Sequence, residues 1–125
     1  MRVLVIEDDQ AVRETLGIVL EFENFSVDLT ADSEGAFSEL SQNWPDVVLL
    51  DLTLGAMSGE EIYEGILSRF GVAPPVIVLS AVQNPQTRFK SHLGGADILF
   101  LSKPYSIDAL LEAIRSITQS QQSAA

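Results

Sequence analysis

Short apolar runs alternate with amphipathic stretches along the whole chain. "RVLVIE" (2–7), "FSVDLT" (25–30), "DVVLLD" (46–51), "VIVLS" (76–80) and "ILFLS" (98–102) read as five β-strands. Three of them are almost unbroken Val, Ile and Leu, as expected of strands covered on both faces of a parallel sheet. The second alternates, with Phe25, Val27 and Leu29 set against Ser26, Asp28 and Thr30, which suits an edge strand. Between the strands, apolar residues recur at helical spacing. Val12, Leu16, Val19 and Leu20 mark a first helix, and Ala36, Phe37 and Leu40 a second. Ile62, Ile66 and Leu67 mark a third, which opens on the capping-box pattern Ser58-Gly-Glu-Glu61. A fourth runs from Asn84-Pro85, an N-cap followed by an N1 proline, to a C-cap at Gly94-Gly95. Its main apolar anchors are Phe89 and Leu93, so it should be weakly held. Leu110, Leu111, Ile114 and Ile117 form the face of a fifth. The closing "SQQSAA" is polar and small, a frayed tail or the start of a linker, so one domain is expected over residues 1–118, with 119–125 outside it.

The resulting pattern is (βα)5 with short loops, an α/β fold. Repeated βαβ units imply a parallel sheet with right-handed crossovers. In such a sheet every strand's carboxyl end lies on one edge, and ligands bind there, where the strand order reverses.

Composition narrows the class. A length of 125 residues suits one domain with one core, and 46% hydrophobic against 20% charged residues is globular usage. No apolar run reaches the length of a membrane span, and the N-terminus meets acid at Glu7 too early for a signal peptide. The absence of cysteine removes disulfides and thiolate metal sites. A cytoplasmic protein with no membrane association is expected. The net charge of −11 is uneven: residues 1–64 hold fifteen acids and two bases, and residues 65–125 three acids and five bases. Phosphate-backbone affinity needs clustered Lys and Arg, so direct nucleic-acid binding is not expected. Most of these charges serve solvation.

The acids at strand ends are different. Strand 1 delivers Glu7, Asp8 and Asp9 to the ligand edge, strand 3 Asp51, strand 4 Ser80, and strand 5 Lys103. Like charges a few ångströms apart repel by about 4 kcal/mol at an effective dielectric near 20, so crowding them calls for a counter-ion. Oxygen donors without thiolate or imidazole suit a hard divalent cation such as Mg²⁺, with Mn²⁺ an alternative. Lys103 supplies a point charge for a phosphoryl oxygen, Ser80 a hydroxyl, and Asp51 a carboxylate able to form an aspartyl phosphate. Phosphoryl transfer asks chiefly for positioning and charge neutralisation, which this set supplies. Each residue alone has a plainer role: Asp9 as a helix N-cap, Asp51 as the start of a turn, Ser80 as a loop cap, Lys103 as a solvated base. Their convergence from four strand ends favours the chemical role. His92, the only histidine, suits an exposed helix position, and Trp44 before Pro45 suits packing.

With those residues in view, the chain resembles the receiver domain of bacterial two-component response regulators over residues 1–118. The resemblance is carried by the Glu7-Asp8 pair, "DVVLLDLTLGAMSG", "VLSAV" and "FLSKPY". It implies a flavodoxin-like sheet in the order 2-1-3-4-5, with Asp51 as phosphoacceptor. It implies Mg²⁺ held by Asp8, Asp51 and the Thr53 carbonyl, with Glu7 bound directly or through water. Ser80 and Lys103 would meet the phosphoryl oxygens, Ala81 would leave room beside them, and Phe100 would be the switch aromatic. The Lys103–Pro104 bond would be cis. The implied partners are a sensor histidine kinase or phosphotransfer protein on one side and an output domain or downstream protein on the other. The face made by the fourth helix, fifth strand and fifth helix would change on phosphorylation and is a candidate homodimer surface, with Arg88, Lys90 and Arg115 opposite Asp97 and Asp108. Such a domain catalyses only its own phosphorylation and dephosphorylation.

Three features depart from the family pattern. Gly55 stands where proline is usual, predicting a more mobile loop. The spacing from Gly95 to Lys103 is one residue longer than usual. Phe100 is flanked by Ile98, Leu99 and Leu101, an unusually apolar stretch, and if Phe100 is already buried a switch through it is muted. These features keep open a receiver fold that binds partners without phosphorylation. A Mg²⁺-dependent phosphohydrolase is a third class, but "DLT" matches its Asp-x-Asp preference poorly and the chain has no room for a cap domain.

Overall fold

A computed structural model of the chain describes residues 1–51, 59–80 and 98–123, with side chains to residue 119. The order is β1 (Arg2–Ile6), α1 (Gln10–Phe22), β2 (Ser26–Thr30), α2 (Ser33–Gln42), β3 (Val47–Asp51), α3 (Gly59–Phe70), β4 (Val76–Ser80), β5 (Ile98–Ser102) and α4 (Ile107–Ser123). Here α4 is the fifth helix expected from sequence. The expected fourth helix over 84–95, the Ser58 cap and His92 lie outside the described residues.

All five strands pair in parallel in the order β2-β1-β3-β4-β5. The unbroken apolar strands are the central ones: every residue of β3 and β4 is buried. The alternating strand, β2, is one edge, and β5, half-buried, is the other. Alternation of side chains across the sheet divides the core into two layers. Val3, Val5, Val47, Leu49, Ile77 and Leu79 face α1 and α4, meeting Leu16, Leu20, Leu110 and Ile114. Leu4, Ile6, Val48, Leu50, Val76 and Val78 face α2 and α3, meeting Ala36, Leu40, Ile62, Tyr63 and Ile66. Helices thus cover both faces, as parallel sheets require.

Two helices differ from expectation. In α1, Leu16 and Leu20 are buried, but Val12, assigned by its spacing to the core face, is 38% exposed, and Ile18 and Phe22 are more so. Apolar residues run around this helix, so period alone could not say which belong to the core. Past the Glu23 cap, Asn24 turns the chain into β2, with a positive φ of 71° and its N–H donating to the Glu21 carbonyl. At the other end of the molecule, α4 continues to Ser123. Its Gln and Ser residues cost little in a helix, and no Gly or Pro interrupts it. Trp44 packs edge-on against Phe70 with ring centroids 5.5 Å apart. Arg115 is exposed and donates to Glu112 of its own helix at 3.3 Å.

Candidate functional site

Strand register assembles the site. Ile6 lies opposite Leu50, so the next residues on each strand, Glu7 and Asp51, emerge side by side. Asp51 lies opposite Leu79 and Ser80 opposite Ser102, so Ser80 and Lys103 come out on the same edge. The Lys103 N–H donates to the Ser80 carbonyl at 2.8 Å, extending the β4–β5 ladder to the lysine itself. The peptide bond that follows, Lys103–Pro104, is cis.

Three side chains meet. Lys103 Nζ lies 2.5 Å from Asp51 Oδ2, and the Asp51 side chain is only 2% exposed. Glu7 is equally buried beside them. One Glu7 oxygen accepts the Asp9 N–H at 3.0 Å, which folds the acid back over the start of α1. Burial, a hydrogen bond with Asp51 and the charge of Asp51 push the Glu7 carboxyl from 4.5 up to about 8, against the lowering effect of the Asp9 N–H. The same buried edge raises the Tyr105 hydroxyl, through desolvation first and then the charges of Asp51 and Glu7.

Of the residues expected to act, Glu7, Asp51 and Lys103 are brought together. Asp8 follows Glu7 and is exposed, with side-chain hydrogen bonding to Glu7. Ser80 is buried at the end of β4, on the same edge. Phe100 is half-buried and packs on the α2–α3 side of the sheet. Thr53, Gly55 and Ala81 lie outside the described residues. Asp9 does cap α1, accepting the Val12 N–H at 3.0 Å.

The donors fit a hard cation. They are carboxylate oxygens, crowded and desolvated enough to push the Glu7 carboxyl up, and a divalent ion would relieve that crowding. Among the described residues, no three His, Cys, Asp or Glu side chains form a ready cage. Mg²⁺ needs only one or two carboxylates when water and phosphate oxygens complete its shell.

Two residues at the site escaped the sequence pattern. Arg13, on α1, donates through Nη1 to the Glu7 carbonyl at 2.8 Å. Tyr105 borders both the acids and a groove of about 280 Å³ lined by Ala11, Val12, Thr15, Leu16, Val19 and Ile107. Arg13 had one available signal: apart from Arg2 it is the only base in residues 1–64.

A family model for the response regulator receiver domain matches residues 3–115. Among curated proteins, "Response regulator MprA" of Mycobacterium sp. (strain KMS) is 35% identical over 117 residues, covering 94% of this chain and 50% of that protein. The protein of the same name from Mycobacterium leprae (strain TN) is 34% identical over the same length and coverage. The chain therefore spans about half the length of the curated relatives it matches. Among solved structures, a CheY-like receiver domain protein from Methanospirillum hungatei JF-1 has a TM-score of 0.84 at 24% identity, covering 99% of this chain and 98% of that one. The receiver domain of the Francisella response regulator 1452 has a TM-score of 0.80 at 25% identity, covering 96% and 98%. Among the described residues, no helix is long and apolar enough to cross a membrane.

Proposed function

From a chain that belongs to the response regulator receiver domain family, we propose a phosphorylation-controlled signalling switch with Asp51 as its phosphoacceptor. The observation that carries this reading is the contact of Lys103 Nζ with Asp51 Oδ2 at 2.5 Å, next to a buried Glu7. An aspartate used only for structure would not need two further ionisable side chains converging on it from different strands.

The phosphodonor is a histidine kinase or a phosphotransfer protein. An Asp51 oxygen attacks the donor's phosphorus, the phosphorus–nitrogen bond to the donor imidazole breaks, and an acyl phosphate forms on Asp51. Lys103, already within reach, moves its charge onto a phosphoryl oxygen, and the Ser80 hydroxyl donates to another. Glu7, Asp8 and Asp51, with the Thr53 carbonyl, would hold Mg²⁺ or Mn²⁺. Bound there, the ion supplies positive charge to the phosphoryl oxygens. Phe100 and the surface of β5 and α4 carry the change to an output domain or downstream partner, with a homodimer through that surface as one form of it. The apolar surface beside the acids, including the groove bordered by Tyr105, is the one we assign to the phosphodonor. We place this activity in the cytoplasm and within residues 1–118.

The test is the intact mass of the chain after incubation with a small-molecule phosphodonor and Mg²⁺, beside Asp51→Asn. One added phosphoryl group is expected, absent from the variant and absent when the metal is chelated. A folded wild type that takes up none with metal present would overturn the proposal and favour a receiver fold that binds partners without phosphorylation.

A further inference from the structure

Two bases serve the fifteen acids of residues 1–64. Arg2 pairs with Asp28 on edge strand β2 at 2.7 Å. Arg13 does something else. It sits in the first turns of α1, its own N–H donating to the Asp9 carbonyl at 2.9 Å. Its guanidinium reaches back over the β1–α1 junction. There Nη1 donates to the Glu7 carbonyl at 2.8 Å and more weakly to the Asp8 carbonyl at 3.4 Å.

The choice of acceptor is informative. A guanidinium drawn into an acidic cluster by charge alone would fork onto a carboxylate, its strongest partner. These two bonds go to backbone carbonyls of the two residues whose side chains form the acidic pair. Held this way, Arg13 fixes the main chain at the junction without occupying those carboxylates. We propose that Arg13 is a positioning residue, which holds the junction backbone so that the Glu7 and Asp8 carboxylates are presented to Mg²⁺ beside Asp51. This rests on the phosphoacceptor reading of the site.

Charge and position predict opposite signs. As a nearby cation, Arg13 repels a divalent ion, so its removal would tighten Mg²⁺ binding. As a support for the ligand backbone, its removal weakens binding, and outer-shell supports of metal ligands are typically worth about 10- to 100-fold in affinity. The experiment is calorimetric titration of Mg²⁺ into wild type and Arg13→Ala, with metal-free thermal melts of both and wild-type phosphorylation measured in parallel. The expected result is Mg²⁺ affinity about tenfold weaker in Arg13→Ala, in a protein that still melts cooperatively. A general loss of stability would lower the melting temperature without changing the affinity of the folded molecules. Equal or tighter binding overturns the proposal, as does a wild type that binds no Mg²⁺. Should Arg13→Ala not fold, the sign is read from Arg13→Gln, which also removes the charge: weaker binding supports the positioning role and equal or tighter binding overturns it. The two claims fail separately. A wild type that binds Mg²⁺ but takes no phosphoryl group sinks the phosphoacceptor reading alone. A phosphorylated wild type beside an Arg13→Ala of undiminished Mg²⁺ affinity sinks only the role of Arg13.

Discussion

Two neighbouring junctions at the carboxyl edge of the sheet, β1 to α1 and β2 to α2, solve the same local problem with the same residue. Each must satisfy the free N–H groups of a helix start, and each uses an aspartate. Asp9 accepts the Val12 N–H at 3.0 Å, and Asp32 accepts the Gly35 N–H at 2.7 Å. The junctions are joined by the Glu7 N–H, which donates to the Thr30 carbonyl at 3.0 Å. Beyond the cap they part. The β2 junction needs nothing more: Thr30 is buried and Asp32 is exposed. The β1 junction adds Glu7 and Asp8, and buries Glu7 against Asp51. Their places in the sheet explain the contrast. β2 is an edge strand with β1 as its one neighbour, whereas β1 lies between β2 and β3, so its end meets the end of β3. Capping therefore accounts for Asp9 and Asp32, and leaves Glu7 to be explained by chemistry.

The strongest way to break that contrast is to remove the titrating carboxyl of Glu7. The folded protein keeps a proton on Glu7 that the unfolded chain gives up near 4.5, the group's folded value being about 8. Its contribution to stability is complete below 4.5 and is lost as pH rises through about 8. Glu7→Gln is neutral throughout. In metal-free buffer it should be more stable than wild type at pH well above 8, by an amount on the order of a few kcal/mol, since a tenfold change in proton affinity is worth about 1.4 kcal/mol. The gap should close on acidification. Urea unfolding of both proteins across this range measures it, and parallel pH profiles would mean that Glu7 carries no unusual burden. The same variant should lose Mg²⁺-dependent phosphorylation, so function and metal-free stability would move in opposite directions.

A smaller effect is expected at the β2 junction. A Cβ added at Gly35 would lie 1.9 Å from Thr30 Oγ1 and 3.1 Å from Asp32 Oδ1. Gly35→Ala should therefore destabilise by about 2 kcal/mol through overpacking, against a gain of up to about 1 kcal/mol from helix propensity. Phosphorylation of the folded variant should be unchanged. An alanine variant as stable as wild type would show that Thr30 rotates away freely and that this junction is not tightly built.

The contrast between the junctions was partly legible in the sequence. The unbroken runs of β1, β3 and β4 mark central strands and the alternation of β2 an edge, because burial on one face or two shows in side-chain type, but β5, apolar from Ile98 to Leu101, is the other edge strand and only half-buried. Asp51, Ser80 and Lys103 were legible for a topological reason: strand ends of a parallel sheet must share an edge. Three things were not. Val12 fits the helical period of the core yet is exposed, because period reports amphipathicity and not which apolar surface is covered. Arg13 bonds to carbonyls, which every residue has, so nothing in the identities of its partners marks the contact. The burial of Glu7 but not of Asp8 depends on which face of the strand end turns inward, and three consecutive acids look alike in a sequence.

The smallest predicted effect is the one that tests whether the shared device is truly shared. Asp9→Ala and Asp32→Ala should each cost about 1 kcal/mol in urea unfolding, the usual value of an N-cap side chain. Asn at either position should restore most of it, since its side-chain oxygen accepts the same N–H and needs no charge to do so. If Asp9 belonged with Glu7 and Asp8 as a cation ligand, Asn would restore stability but not Mg²⁺ affinity. The capping role requires both to return together at Asp9, and requires Mg²⁺ affinity to be untouched throughout at Asp32. A carboxylate that acts through its oxygen geometry tolerates the amide, and one that acts through its charge does not. The third acid of the β1 junction is thus separable from the two before it by a substitution that changes charge and leaves shape almost alone.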